Sequence, residues 1–252
     1  MTLHIEILGT GRLDERDSAY PQAVQLPNGD ILCSYCVGDG PRATEGTDWS
    51  RSRDGGCTWS HGGTILAPTP GSNRRNHLKL SLSADGKTLY AYGSRHDRKP
   101  GQVFGEFFSE PVYCTSNDGG STWSPPRVVP IPRNGNFEIA HGILPLSSGR
   151  LLAPAATLPS LDRLGEKVMV GISDDGGSTW PEHAVVFHVS EGKLGYFENK
   201  LAEIGRGRVM AVCWTVTLGT VEDRPNSFTL SDDGGSTWGE ARSTGINGQT
   251  MT

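Results

Sequence analysis

A chain of 252 residues with a net charge of −5 and a pI near 5.8 carries no basic stripe able to neutralise phosphates, which argues against nucleic acid as a partner. No stretch has the length needed to cross a bilayer, and residues 1–7 alternate polar and apolar side chains instead of opening on the runs of a signal peptide. Neither a membrane nor a leader is therefore expected, and a cytoplasmic setting is.

Hydrophobic content of 35% with 34 Gly and 16 Pro, and no persistent helical period, points to many short strands joined by tight turns. In chain order, strand patterns over 23–26 and 31–35 flank Asn28-Gly29, and those over 78–82 and 89–92 flank Asp85-Gly86. The same arrangement recurs over 142–146 and 151–153 around Ser148-Gly149, and over 200–204 and 209–212 around Arg206-Gly207. Matched turns of this kind make four copies of one unit.

After each copy comes the pattern Ser-x-Asp-x-Gly-x-Thr-Trp, at 52–59, 116–123, 173–180 and 231–238. Its aspartates, Asp54, Asp118, Asp175 and Asp233, lie 64, 57 and 58 residues apart. Asp followed by Gly-Gly is a turn signal, since the carboxylate accepts from N–H groups just ahead and glycine takes up positive φ without steric cost. Apolar residues on either side make each copy a hairpin turn, and its Trp offers a ring to pack on a neighbouring unit with its N–H bonded. The five cysteines are odd in number and form no disulfide framework; Cys33 and Cys36, three apart in a strand, point to opposite faces, so packed, reduced thiols are expected.

The eight-residue pattern resembles the Asp box, or BNR repeat, of the sialidase (neuraminidase) superfamily. The resemblance implies an all-β fold, a β-propeller of four-stranded blades with an Asp box between the third and fourth strands of each. The boxes would lie outside, away from the active site, which makes the four aspartates structural. Four blades are complete or nearly so by Thr244, and 245–252 reads as the opening of a fifth. Against the six blades the resemblance implies, residues 1–252 read as a single domain truncated at its C-terminal end, an incomplete ring with the N-terminal strand as a clasp. Its open blade edges would favour self-association.

The resemblance also puts the substrate at the heads of the innermost strands. The residues there are Arg16, Asp17, Tyr20, Asp39, Arg42, Glu45 and Asp48 in blade one, and Arg74, Arg75, Asn76, His77, Arg95, His96 and Asp97 in blade two. Blade three supplies Glu138 and His141, and blade four Tyr196, Glu198 and Asn199. Arginine, carboxylate and histidine together suit an enzyme acting on an acidic sugar: guanidinium forks hold the sugar carboxylate and a carboxylic acid protonates the leaving oxygen.

In sialidases three arginines surround the substrate carboxylate, an Asp is the acid/base, and a Glu assists a Tyr nucleophile. Carried onto this sequence, Ser18-Ala19-Tyr20-Pro21 keeps the proline of the blade-one arginine motif and lacks its arginine, leaving Arg16 as the substitute. Asp48, or Glu45, takes the acid/base position with Arg42 beside it, and the segment 197–203 makes Glu198 the assisting Glu. Cys213-Trp214-Thr215 stands where the second arginine would follow, and the third arginine and the Tyr belong to later blades.

The expected catalytic residues are therefore Glu198, Asp48 and His141, and the expected substrate-binding residues Arg42, Arg16 and Arg95. No cofactor is needed, and His77, His96 and His141 lack the short spacing of a metal site. The expected function is a sialidase-like glycoside hydrolase acting on terminal, acidic sugars of glycans. Two alternatives are a polysaccharide lyase on uronic-acid glycans, and a non-catalytic glycan- or protein-binding propeller with Trp49, Phe104, Phe107 and Phe108 as a stacking platform.

Overall fold

The computed structural model describes residue 6 and residues 11–38, 46–99, 101–103, 105–132, 135–188, 193–220 and 222–248. It is an all-β, four-bladed propeller arrangement of antiparallel sheets with no closed barrel. Blade one is β1 (Ser18–Gln25), β2 (Ile31–Val37), β3 (Thr47–Ser52) and β4 (Ser60–Leu66). Blade two is β5 (Arg74–Leu82), β6 (Leu89–Asp97), β7 (Phe108–Ser116) and β8 (Arg127–Val128).

In blade three the inner strand is broken into β9 (Asn136–Glu138) and β10 (Leu144–Pro145), which both pair with β11 (Leu151–Leu158); β12 (Lys167–Ser173) and β13 (Glu182–His188) follow. Blade four is β14 (Leu194–Gly205), β15 (Arg208–Thr217), β16 (Asp223–Ser231) and β17 (Arg242–Ser243). Thr244 donates its N–H to the Asn226 carbonyl and Asn226 donates to the Ile246 carbonyl, so 244–246 extends the outer edge of blade four. The remainder of the expected fifth-blade opening, 249–252, and the N-terminal clasp, apart from Glu6, lie outside the described residues.

Three apolar cores lie between successive blades. Leu32 and Trp49 meet Leu78, Leu80 and Val112; Tyr92 and Tyr113 meet Phe137, Ile139 and Leu151; and Val168, Val170 and Ile172 meet Leu201, Val209 and Ala211. Trp49, a candidate sugar platform, is thus a core residue. The far face of blade four has no such cover: along β15, buried Val209, Ala211 and Cys213 alternate with part-exposed Met210, Val212 and Trp214.

The four Asp turns have one geometry, each between the third and fourth strands of its blade. In the second, Ser116 Oγ donates to Asp118 at 2.7 Å, and Thr122 donates to the same carboxylate through N at 2.9 Å and Oγ1 at 2.6 Å. Three of the turns also join blades. Arg51 donates to the Gly119 carbonyl, Tyr90 to that of Gly176, and Arg150 to that of Gly234, in each case from the preceding blade. The second glycine is needed for this approach: Gly120 sits at φ 91°, and a Cβ there would lie 2.8 Å from Leu32. The tryptophan N–H departs from expectation. In Trp59 and Trp238 it donates to the second glycine of the same turn at 3.0 Å, and in Trp123 and Trp180 it has no partner.

All five cysteines are unpaired, with Cys57 alone exposed. No helix among the described residues is long and apolar enough to cross a membrane.

Candidate active site at the propeller axis

The four inner strands differ where they approach the axis. β5 runs in unbroken register against β6. β1 and β14 each carry a bulge at the same place: Tyr20 and Pro21 stand opposite Tyr35, and Glu198 and Asn199 opposite Cys213. Tyr20 (φ 56°) and Glu198 (φ 47°) are the only described non-glycine residues with positive φ. Side chains in that conformation are strained, and bulges that re-aim a side chain gather at functional sites. In blade three the inner strand opens altogether between β9 and β10, so that 139–143 leaves the ladder.

Two lysines hold that opening. Lys79, 7% exposed, donates Nζ to the Ile139 carbonyl at 3.0 Å, and Lys200 donates Nζ to the Ala140 carbonyl at 2.8 Å. Burial lowers the pKa of both lysines, that of Lys79 to about 8, while the carboxylates of Glu138 and Glu198 partly restore it. Burial likewise pushes Glu138 up to about 7, against the opposing pull of Lys79 and with a further upward push from the Glu198 carboxylate. Glu198 is raised by burial too, with Lys200 and Lys79 working against it. Two carboxylates and two ammonium groups from three blades therefore meet at one point.

Around this cluster stand two histidines and a tyrosine. His141 contacts its neighbour's carbonyl, Gly142 O, through Nδ1 at 2.9 Å, and burial, with Lys200 second, lowers it to about 4. It is neutral at pH 7, with Nδ1 the donor and Nε2 left as the basic nitrogen. His77 is also held neutral by burial, and its ring lies 5.6 Å from that of Tyr20 and 6.2 Å from that of His96. The stacking continues outward to Phe107, 5.5 Å from His96, with Arg98 over its face.

Of the residues expected from sequence, Glu198 and His141 are brought together here. Asp48 is not. It is buried in blade one on β3, accepting from Arg16 at 2.8 Å, Thr64 at 2.7 Å and His61 at 3.1 Å. Arg16 is committed to the same network, since it also grips Asp14 with Nε and Nη2. Asp14 reaches Tyr35 as well, so the group pins the segment before β1 onto blade one. Arg95 is engaged across the β6–β7 ladder by Glu110, at 2.9 and 2.6 Å. Arg42, with Asp39, Glu45 and Phe104, lies outside the described residues.

Lys79 and Lys200 were missed by sequence reasoning, and Glu138 was noted without a role. A signal for the lysines existed: Gln22, Lys79, Gly142 and Lys200 each stand seven residues before a turn glycine, Gly29, Gly86, Gly149 and Gly207. No group of three or more potential metal ligands occurs among the described residues.

No protein-family model matches the chain, and no curated protein does. Solved structures share its fold. A protein of unknown function from Dyadobacter fermentans superposes with a TM-score of 0.71 at 22% identity, over 91% of this chain and 70% of that one. The NanB sialidase from Streptococcus pneumoniae gives 0.64 at 15% identity, over 98% of this chain and 54% of its own. An α-L-arabinanase from Penicillium chrysogenum, complexed with arabinobiose, gives 0.62 at 18%, over 88% and 66%. This chain thus spans about half the length of the sialidase it matches.

Proposed function

We propose that the axial cluster is the active site of a glycoside hydrolase, with Glu138 and Glu198 as its carboxylate pair. The observation that carries this reading is a carboxyl group held near pH 7, Glu138, beside a second carboxylate on a strained bulge at the centre of the propeller. Pairs of carboxyl groups whose surroundings set different proton affinities divide the acid and base roles of glycosidic cleavage. Glu138, still protonated up to neutral pH, gives its proton to the glycosidic oxygen as the bond from that oxygen to the anomeric carbon breaks. Water supplies the replacing hydroxyl, and Glu198 takes up the proton that water loses. Lys79 and Lys200 hold the opened inner strand and offset the negative charge that forms.

Glycosidases among the structures of the same fold support the class, since a sialidase and an arabinanase both belong to them. Action on a terminal acidic sugar is the narrower reading. It draws on the repeated turns, on Glu198, and on Arg75, which faces His96 across the ladder and bonds only backbone carbonyls among the described residues. Asp48, Arg16 and Arg95 are engaged elsewhere and are assigned no part in it.

The test is release of aglycone from a panel of fluorogenic sialosides, arabinosides and xylosides by the wild type, Glu138→Gln and Glu198→Gln. Turnover by the wild type that each substitution lowers at least about a hundredfold supports the pair. Turnover that survives both would remove it. An unsaturated, ultraviolet-absorbing product would move the assignment to a lyase.

A further inference from the structure

We propose that Tyr20 is the sugar-ring platform of the axial site, presenting its aromatic face to the C–H face of a pyranose whose glycosidic oxygen lies toward Glu138 and Glu198. The inference rests on the glycosidase reading for the position of the bond to be cut, and on separate observations for the platform itself.

Tyr20 is 46% exposed although it stands on an inner strand at the axis. Its backbone adopts φ 56°, which an aromatic residue rarely does, and the following Pro21 narrows its conformations further. A residue held in such a conformation without being buried is not there for packing, because nothing in the core offsets the strain. The bulge that holds it has one counterpart, that of Glu198, at the matching place in blade four. The two bulges therefore turn Tyr20 and Glu198 out of their ladders at one level of the axis, and the carboxylate of Glu198 is close enough to act on the Tyr20 hydroxyl.

The His77 ring, 5.6 Å away and tilted by 34°, backs Tyr20 from blade two. An aromatic ring has a negative face, and the C–H bonds on one side of a pyranose carry the complementary partial charge. Tyrosine supplies this surface with only two side-chain torsions to fix. Such a platform would orient the ring over the carboxylates without meeting any charge of its own.

The experiment compares the wild type with Tyr20→Phe, Tyr20→Ala and Tyr20→Gly. Two quantities are read: KM and kcat on the best fluorogenic glycoside, and calorimetric affinity for methyl β-xyloside, methyl β-galactoside and N-acetylneuraminic acid. Unfolding midpoints are measured alongside, and the glycine variant keeps the test usable if the alanine variant does not fold, since glycine accepts the backbone angle freely. Tyr20→Phe is expected to stay within about threefold of wild type, whereas the alanine and glycine variants raise KM and Kd about tenfold with kcat little changed.

Folded alanine or glycine variants that bind as the wild type does would overturn the platform and leave the glycosidase reading standing. Loss in Tyr20→Phe as large as in Tyr20→Ala would also overturn it, because the hydroxyl would then be the contact. Tyr20-dependent binding with no hydrolysis by the wild type would uphold the platform and end the glycosidase reading. Neither binding nor hydrolysis by the wild type would end both.

Discussion

Replacing Glu138 by Gln removes a buried carboxyl group whose ionisation costs the fold stability as pH rises. The wild-type carboxyl moves from an ordinary 4.5 to about 7 on folding, which corresponds to about 3 kcal/mol. Glu138 keeps part of its surface toward solvent, and screening reduces this to about 2 kcal/mol. The folded-state pKa is the raised one, so this stability is fully present below pH 4.5 and is lost as pH rises through about 7. The amide introduced by Glu138→Gln cannot ionise and escapes that loss. The attraction of Lys79 for the ionised carboxylate is already contained in the value of about 7, so losing it takes nothing further from this gain. The variant should therefore gain about 2 kcal/mol on the wild type between pH 5 and pH 8. Urea unfolding followed by tryptophan fluorescence at the two pH values measures it. A variant that instead falls behind by about 3 kcal/mol at pH 8 would behave as a broken buried ion pair, and would show that the lysines hold Glu138 ionised.

The same carboxyl governs catalysis in the proposed mechanism, and kcat/KM should fall about tenfold per pH unit above pH 7 as the acid loses its proton. Gly120→Ala should cost about 2 kcal/mol or more, from positive φ and from the clash with Leu32, whereas Gly55→Ala, with the same kind of φ and open space, should cost about 1 kcal/mol. Thermal unfolding separates the two. Asp48→Asn should lower stability by about 2 kcal/mol through its bonds to Arg16 and Thr64 while leaving kcat and KM unchanged; a large fall in kcat at unchanged stability would restore Asp48 to the site. Asp54, Asp118 and Asp175, each held near 2 chiefly by hydrogen bonds from Thr58, Thr122 and Thr179, contribute stability that is present above about pH 4 and lost as pH falls through 2, which acid titration of the fold would follow.

The blades were legible because they are local. A strand, a Gly turn, a second strand and the Asp turn all lie within about sixty residues, and each part depends on residues close in the chain. Glu198, whose role is proposed above, could be singled out for a related reason, as it lies in a segment that reads as a unit, 197–203. Asp48, Arg16 and Arg95 have partners that the sequence does not reveal, because it gives the head of a strand but not the direction of a side chain or the group that bonds it. Asp14 and Glu110 claim these arginines, one from two residues away and one across a ladder.

What the sequence determined by itself is thus the repeat: Asp, Gly and Thr at fixed spacing close a turn whatever surrounds them, since the bonds are made within eight residues. What only the tertiary structure decided is the axis. Lys79, Glu138, Glu198 and Lys200 come from three blades and meet because inter-blade cores set the inner strands side by side and because one inner strand opens while another bulges. The proton affinity of that cluster is a property of shared burial, which no spacing along the chain encodes.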